Sequence, residues 1–155
     1  MRCIEVVQGR HRLDNLFKQI AVFSQDLELQ AHWARYLCVL VSGFMEFSVR
    51  AIYTDYVGQR ATPDVVNYVE RKLSEFQNPK MDKILDLVQS FNSEWGEELK
   101  RNTEGELKDA VDSIVANKNR IAHGEDVGIT YSRINHYYKN ALRVVDLIED
   151  QCNVS

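Results

Sequence analysis

At 155 residues, with 19 Lys and Arg against 23 Asp and Glu and a formal net charge of -4, the chain has the length of one domain, 1–155, and no overall attraction to polyanions. Hydrophobic residues at 45% and charged residues at 27% exclude collagen-like, low-complexity and wholly disordered chains. With only 2 Pro and 7 Gly, turns must be few and the elements between them long.

From Arg12 to Ser24, the apolar residues Leu13, Leu16, Phe17, Ile20 and Phe23 recur at helical spacing and predict a first amphipathic helix. Asp26 can cap a second, running from Leu27 to Val57, about 46 Å at a rise of ~1.5 Å per residue. That helix is apolar on more than one face, with Trp33, Leu37, Leu40, Phe44 and Phe47 on one side and Met45, Ile52 and Tyr56 on another, so it is the central element. Thr62-Pro63-Asp64 starts a third helix carrying Val65, Val66, Val69, Leu73 and Phe76, and Asn78-Pro79 ends it. A fourth holds Met81, Ile84, Leu85, Val88 and Phe91, followed by an irregular stretch around Ser93-Glu94-Trp95-Gly96 that Trp95 and Leu99 anchor. Thr103-Glu104-Gly105-Glu106 reads as a capping box for a fifth helix through Leu107, Val111, Ile114, Val115 and Ile121, stopping near His123-Gly124. After a loop over Glu125–Ile129, Thr130 or Ser132 starts a sixth, with Ile134, Tyr137, Ala141, Val144, Val145 and Ile148 inward. With no strand pair and no internal repeat, the fold class is all-α: an up-and-down bundle of about five to six helices around a long central one.

Lys118 falls in the middle of the fifth helix's apolar arc, an expensive place for an ammonium unless it is paired, reaches water or lines a polar cleft. Asn119 and His123 share an edge one turn apart, with Asp112 two turns further back and Arg120 pointing outward. Spacing alone leaves two readings open: Lys118 extending to solvent with His123 capping its helix, or a functional site. Glu46 and Arg50, four apart on the second helix, form either a local ion pair or a holder for the fifth helix's cation, and Gly43 on the same face admits a close backbone. His11 and His32 read as solvated, and His136 and Arg133 as a surface face that could approach His123.

Cys3, Cys38 and Cys152 are odd in number and far apart, giving neither a disulfide framework nor a zinc motif; buried or terminal thiols are expected. The longest strictly apolar run, Tyr36–Val41, is far short of the ~20 residues that cross a bilayer, and the sequence from Met1 to Glu5 opens no signal-peptide core, so a cytoplasmic protein without a membrane partner is expected. No nucleotide-binding, nucleophile-elbow or metalloprotease motif is present, and the carboxylates are too scattered to focus a two-metal or two-carboxylate site.

The segment Ser113-Ile-Val-Ala-Asn-Lys118-Asn119-Arg120-Ile-Ala-His123-Gly124 resembles the signature of the HEPN superfamily, an Arg, a polar residue and then a His, with four to six residues between the Arg and the His. The stretch from Arg35 to Glu46 and the later Phe91-Asn-Ser-Glu-Trp95 resemble its RiboL-PSP branch. The resemblance implies a metal- and cofactor-independent endoribonuclease, often a toxin or antiviral defence component, whose site forms where two subunits of a homodimer bring their motif helices together. By position His123 matches the motif His, Asn119 the polar residue and Lys118 the Arg. This last is a departure, because Lys keeps the charge but loses the planar fork that grips a phosphate.

Histidine, with an ordinary pKa of about 6.5, suits proton transfer to and from an RNA 2'-hydroxyl. The implied roles are proton transfer for His123, stabilisation of phosphate charge for Lys118 and orientation for Asn119. From Lys118 to Arg143 five basic residues stand against two acids, so Arg120, Arg133 and Lys139 are expected to meet RNA, with Tyr131, Tyr137 and Tyr138 as stacking surfaces unless they are core. Expected partners are RNA, a second copy and a cognate antitoxin or operon partner. The alternative is a non-catalytic module of the same kind that binds a nucleotide or partner and works by dimerising.

Overall fold

The computed structural model describes residues 2–22 and 25–154. They form seven helices and no strand: α1 (Ile4–Ala21), α2 (Leu27–Gly58), α3 (Pro63–Leu73), α4 (Met81–Phe91), α5 (Ser93–Thr103), α6 (Glu106–Ala122) and α7 (Tyr131–Val154). The all-α bundle with a long central helix is as the apolar spacing predicts, with one helix more than the sequence reading gives.

The extra helix is α5, which replaces the irregular stretch. Its start is set by Asn92, whose side-chain oxygen accepts from the backbone N–H groups of Glu94 and Trp95 at 3.0 and 3.2 Å. Thr103 is not the cap of α6, as the capping-box pattern implies. It ends α5, its hydroxyl donating to the Leu99 carbonyl at 2.8 Å, and Gly105 takes the position before α6 at φ +99°. Leu99 is fully buried and Trp95 half-buried, so both anchor this stretch. Where α4 and α5 meet, a Cβ on Gly96 would lie 2.9 Å from Gln89 Cβ and 3.1 Å from its Cα. A Gly96→Ala variant is therefore expected to lose about 1–3 kcal/mol in denaturant unfolding, since the clash is with backbone and cannot be relieved by a rotamer change.

α1 starts eight residues before the predicted Arg12 because Val6, Gly9, Leu13, Phe17 and Ile20 make one buried stripe. Phe23 and Ser24, the predicted end of this helix, lie outside the described residues. α7 grips the start of α1 through buried Glu149, which accepts the Cys3 N–H at 2.7 Å and faces Arg2 at 3.4 Å. α3 ends at Leu73, five residues before Asn78, while Phe76 is buried in the connection that follows.

α2 packs against α1, α3, α6 and α7. By length and composition it could cross a membrane, but 61% of its most apolar window is buried inside the protein, as in a core helix. Asp26 caps it as predicted, accepting from Leu29 N–H at 3.0 Å. The core side carries Leu37, Cys38, Val41, Met45, Val49, Ile52 and Tyr53. Of the side that carries Trp33, Leu37, Leu40, Phe44 and Phe47, Leu37 and Phe44 are buried, Trp33 and Leu40 are half-buried and Phe47 is 44% exposed. Cys3, Cys38 and Cys152 are buried and in no disulfide, and burial pushes the Cys38 and Cys152 thiols up to about 12.

On α7 the residue predicted as core, Tyr137, exchanges roles with its neighbour. Tyr138 is the buried ring, stacked on Phe17 at 4.6 Å with its hydroxyl on Asp14 at 2.7 Å, and Tyr137 is half-buried. Tyr131 is tied by its hydroxyl to the Phe17 carbonyl at 3.0 Å, so neither it nor Tyr138 is free to stack on a base.

Candidate functional site at the end of α6

The C-terminal end of α6 is locked by backbone geometry. Gly124 adopts φ +77°, its N–H bonds the Ile121 carbonyl at 3.0 Å, and the Glu125 N–H bonds the Arg120 carbonyl at 3.0 Å, the paired closure of a Schellman motif. Glycine is required there because a left-handed backbone costs other residues energy. The lock fixes His123 as the last residue before the turn, with its own N–H on the Asn119 carbonyl at 3.1 Å. Its imidazole is exposed and makes no hydrogen bond to the described residues, so it is open to a ligand.

Around the helix axis, at about 100° per residue, Asn119 and His123 lie about 40° apart, while Lys118 and His123 are separated by about 140°. Within one chain, therefore, Asn119 and His123 share an edge, and Lys118 points elsewhere. Half-buried Lys118 donates from Nζ to Asn78 Oδ1 at 3.2 Å, across to the connection between α3 and α4. Asn78 sits at φ +52°, a conformation asparagine tolerates better than most residues. One neutral acceptor leaves the ammonium two further donors and its full charge.

That connection gathers the other predicted residues too. Arg50 donates from Nη2 to Glu46 at 2.9 Å and to the Ser74 carbonyl at 3.1 Å, and from Nε to the Phe76 carbonyl at 3.1 Å. The Glu46–Arg50 couple is thus a local ion pair that also caps the end of α3, a stabilising position for a cation. It holds the segment that Lys118 touches, and Lys118 itself goes to Asn78. Asp112, predicted beside Asn119 and His123, is used structurally: it accepts the Met81 N–H at the start of α4 at 2.8 Å and pairs with Lys108 at 2.6 Å.

The basic residues expected to meet RNA divide between two places. Arg120 is exposed and paired with Glu125 at 2.9 Å, and Arg133 is exposed with its guanidinium 5.9 Å from the centre of the Tyr137 ring. Both line one recess between the end of α6 and the start of α7, whereas exposed Lys139 does not. His136 does not approach His123. Its ring is 2.9 Å from Glu106, at the opposite end of α6, about 25 Å away along the helix. His11 and His32 are exposed, as expected.

Asn78 is the site residue that spacing alone does not reveal. Asn-Pro after a helix signals a stop, and nothing in it announces a partner for a lysine forty positions later. Among the described residues, no group of three His, Cys, Asp or Glu side chains is placed to hold a metal ion.

A seven-helix bundle whose sixth helix ends in Lys-Asn-x-x-x-His-Gly is a HEPN-type domain. The family model described as RiboL-PSP-HEPN matches residues 9–154, and the chain belongs to that family. No curated protein and no solved structure matches the chain.

Proposed function

We propose that the protein is a metal-independent endoribonuclease acting on single-stranded or looped RNA, with a composite site formed by Lys118, Asn119 and His123 at a homodimer interface. The observation that carries this reading is the exposed, unengaged imidazole of His123 on a helix end fixed by Gly124, with the ammonium of Lys118 on the same helix. His123 takes the 2'-hydroxyl proton, the 2'-oxygen attacks the adjacent phosphorus and the bond to the 5'-oxygen breaks. The 5'-oxygen leaves with a proton from His123 of the partner subunit, giving a 2',3'-cyclic phosphate and a 5'-hydroxyl. Lys118 offsets charge developing on the phosphate oxygens, and Asn119 orients the strand. A toxin or defence component is the setting this activity fits.

A composite site needs a second copy, and α2 offers it a surface. Tyr36, Leu40, Gly43 and Phe47 fall within about 60° of one another on its outer side, with Tyr36 50% and Phe47 44% exposed. Apart from its chain neighbours and the backbone of its own helix, no atom of the described residues lies within 4 Å of where a Gly43 Cβ would be, so the room at this glycine is not filled from within the protein. A groove lined by Leu13, Leu16 and Phe44 includes Leu40, Gly43 and Phe47 of the stripe and can receive an apolar side chain of a two-fold-related copy. One turn beyond Phe47 is Arg50, which holds the segment touched by Lys118, so the stripe borders the site. Phe47→Asp is expected to give a folded monomer by sedimentation and to lose RNA cleavage together with the dimer. A variant that remains dimeric places the interface elsewhere.

The activity is tested by incubating purified protein with single-stranded RNA in EDTA. Cleavage is expected; a stable dimer that leaves the RNA intact supports instead a non-catalytic binding module. That second reading is favoured by lysine at the motif's arginine position, already in part committed to Asn78.

A further inference from the structure

On the other side of α6 from Lys118 lies a recess of about 230 Å³, lined by Asn117, Arg120, Val127, Gly128, Ile129, Arg133 and Tyr137. Its walls are fixed. Val127 and Ile129 are buried at 2% and 7% exposure and pin the loop between α6 and α7, and the Thr130 hydroxyl accepts the Arg133 N–H at 3.1 Å, setting the first turn of α7. The polar groups facing it are largely uncommitted. Arg133 has no carboxylate partner and Asn117 makes no side-chain hydrogen bond among the described residues. Arg120 has only the pair with Glu125, both side chains being more than half exposed, and such pairs are weak enough to exchange for a stronger anion. The half-buried Tyr137 ring, with the Arg133 guanidinium 5.9 Å from its centre, completes the set: two planar cations, one amide with both donor and acceptor, and one aromatic ring.

We propose that this recess holds one nucleotide of the RNA away from the scissile bond, with its phosphate between Arg120 and Arg133, its base on the Tyr137 ring and its base edge read by the Asn117 carboxamide. The combination of guanidinium, ring and amide is the chemistry by which unpaired nucleotides are gripped and told apart. The assignment rests on the RNA-cleaving reading for its ligand, but on neither His123 nor Lys118 for its geometry. It places substrate selection on the face of α6 turned away from Lys118, next to the edge that carries His123.

The test uses the full chain carrying His123→Ala, which keeps the RNA intact, and fluorescein-labelled single-stranded oligonucleotides titrated at several salt concentrations. Adding Arg120→Ala and Arg133→Ala together is expected to flatten the plot of log affinity against log salt by about 0.7, the amount for one phosphate charge no longer neutralised. Tyr137→Leu weakens binding about tenfold while Tyr137→Phe retains it, the loss expected of one stacked base. Asn117→Ala leaves the salt slope unchanged but levels the affinities for oligo-A, oligo-C and oligo-U. An unchanged slope in the double arginine variant overturns the proposal, and so does a Tyr137→Phe loss equal to that of Tyr137→Leu. If the unmodified protein binds RNA through these arginines yet cleaves none, the recess stands and the nuclease reading falls. If it cleaves RNA while the double variant binds with unchanged slope, the nuclease reading stands and the recess falls.

Discussion

His123→Ala lowers the rate of RNA cleavage by about 10²–10⁴-fold, the range contributed by a positioned proton-transfer group. The fold survives the change, because the imidazole is exposed and bonded to none of the described residues, and the backbone contacts that end α6 belong to His123 N–H, Gly124 and Glu125 rather than to the ring. Gel analysis of labelled RNA alongside a thermal melt measures both halves of the expectation. Wild-type cleavage by the variant removes His123 from the reaction, whereas a large fall in melting temperature makes its role structural.

Lys118 is the second large effect, and here structure and chemistry pull on the same atom. Lys118→Ala removes the hydrogen bond to Asn78, worth about 1 kcal/mol, and the charge opposite the reacting phosphate, worth about 10²–10³ in rate for a single stabilising donor. The two consequences separate in Lys118→Met, which keeps the length of the apolar stem and loses only the ammonium. It is expected to stay folded and lose the same factor in kcat. Lys118→Arg restores the planar fork of the family motif and is expected to cleave at least as fast as the natural chain. If Lys118→Met cleaves normally, the lysine serves only to hold the connection between α3 and α4.

The elements that were legible in the sequence are those whose periodicity is undisturbed. α2 is one continuous apolar pattern opened by Asp26, and α6 carries its stripe up to the glycine that terminates it. α5 was hidden because its mean composition is polar and only Leu99, Gly96 and Thr103 go inside; the one local signal was Asn92, a good capping residue lying between two helices. Tyr137 and Tyr138 are adjacent, and helical spacing alone could not decide which ring would find Phe17 and Asp14 on α1. In the site, the backbone part was readable, since Ala-His-Gly at a helix end specifies the turn that presents His123. The tertiary part was not: the long-range partners of Lys118, Asp112 and Arg50 lie between Ser74 and Met81, in the connection from α3 to the start of α4, and no periodicity links it to α2 or α6. The recess at Arg120 and Arg133 likewise depends on how α7 folds back over the end of α6.

The central claim is that this chain cuts RNA by attack of the RNA's own 2'-hydroxyl, with His123 moving the proton. It is tested most directly by the ends of the fragments formed in EDTA from a defined single-stranded RNA. Fragments ending in a 2',3'-cyclic phosphate, formed by the unmodified protein and absent with His123→Ala, are the predicted result. Fragments with a free 3'-hydroxyl, or cleavage that stops when EDTA is added, would contradict it.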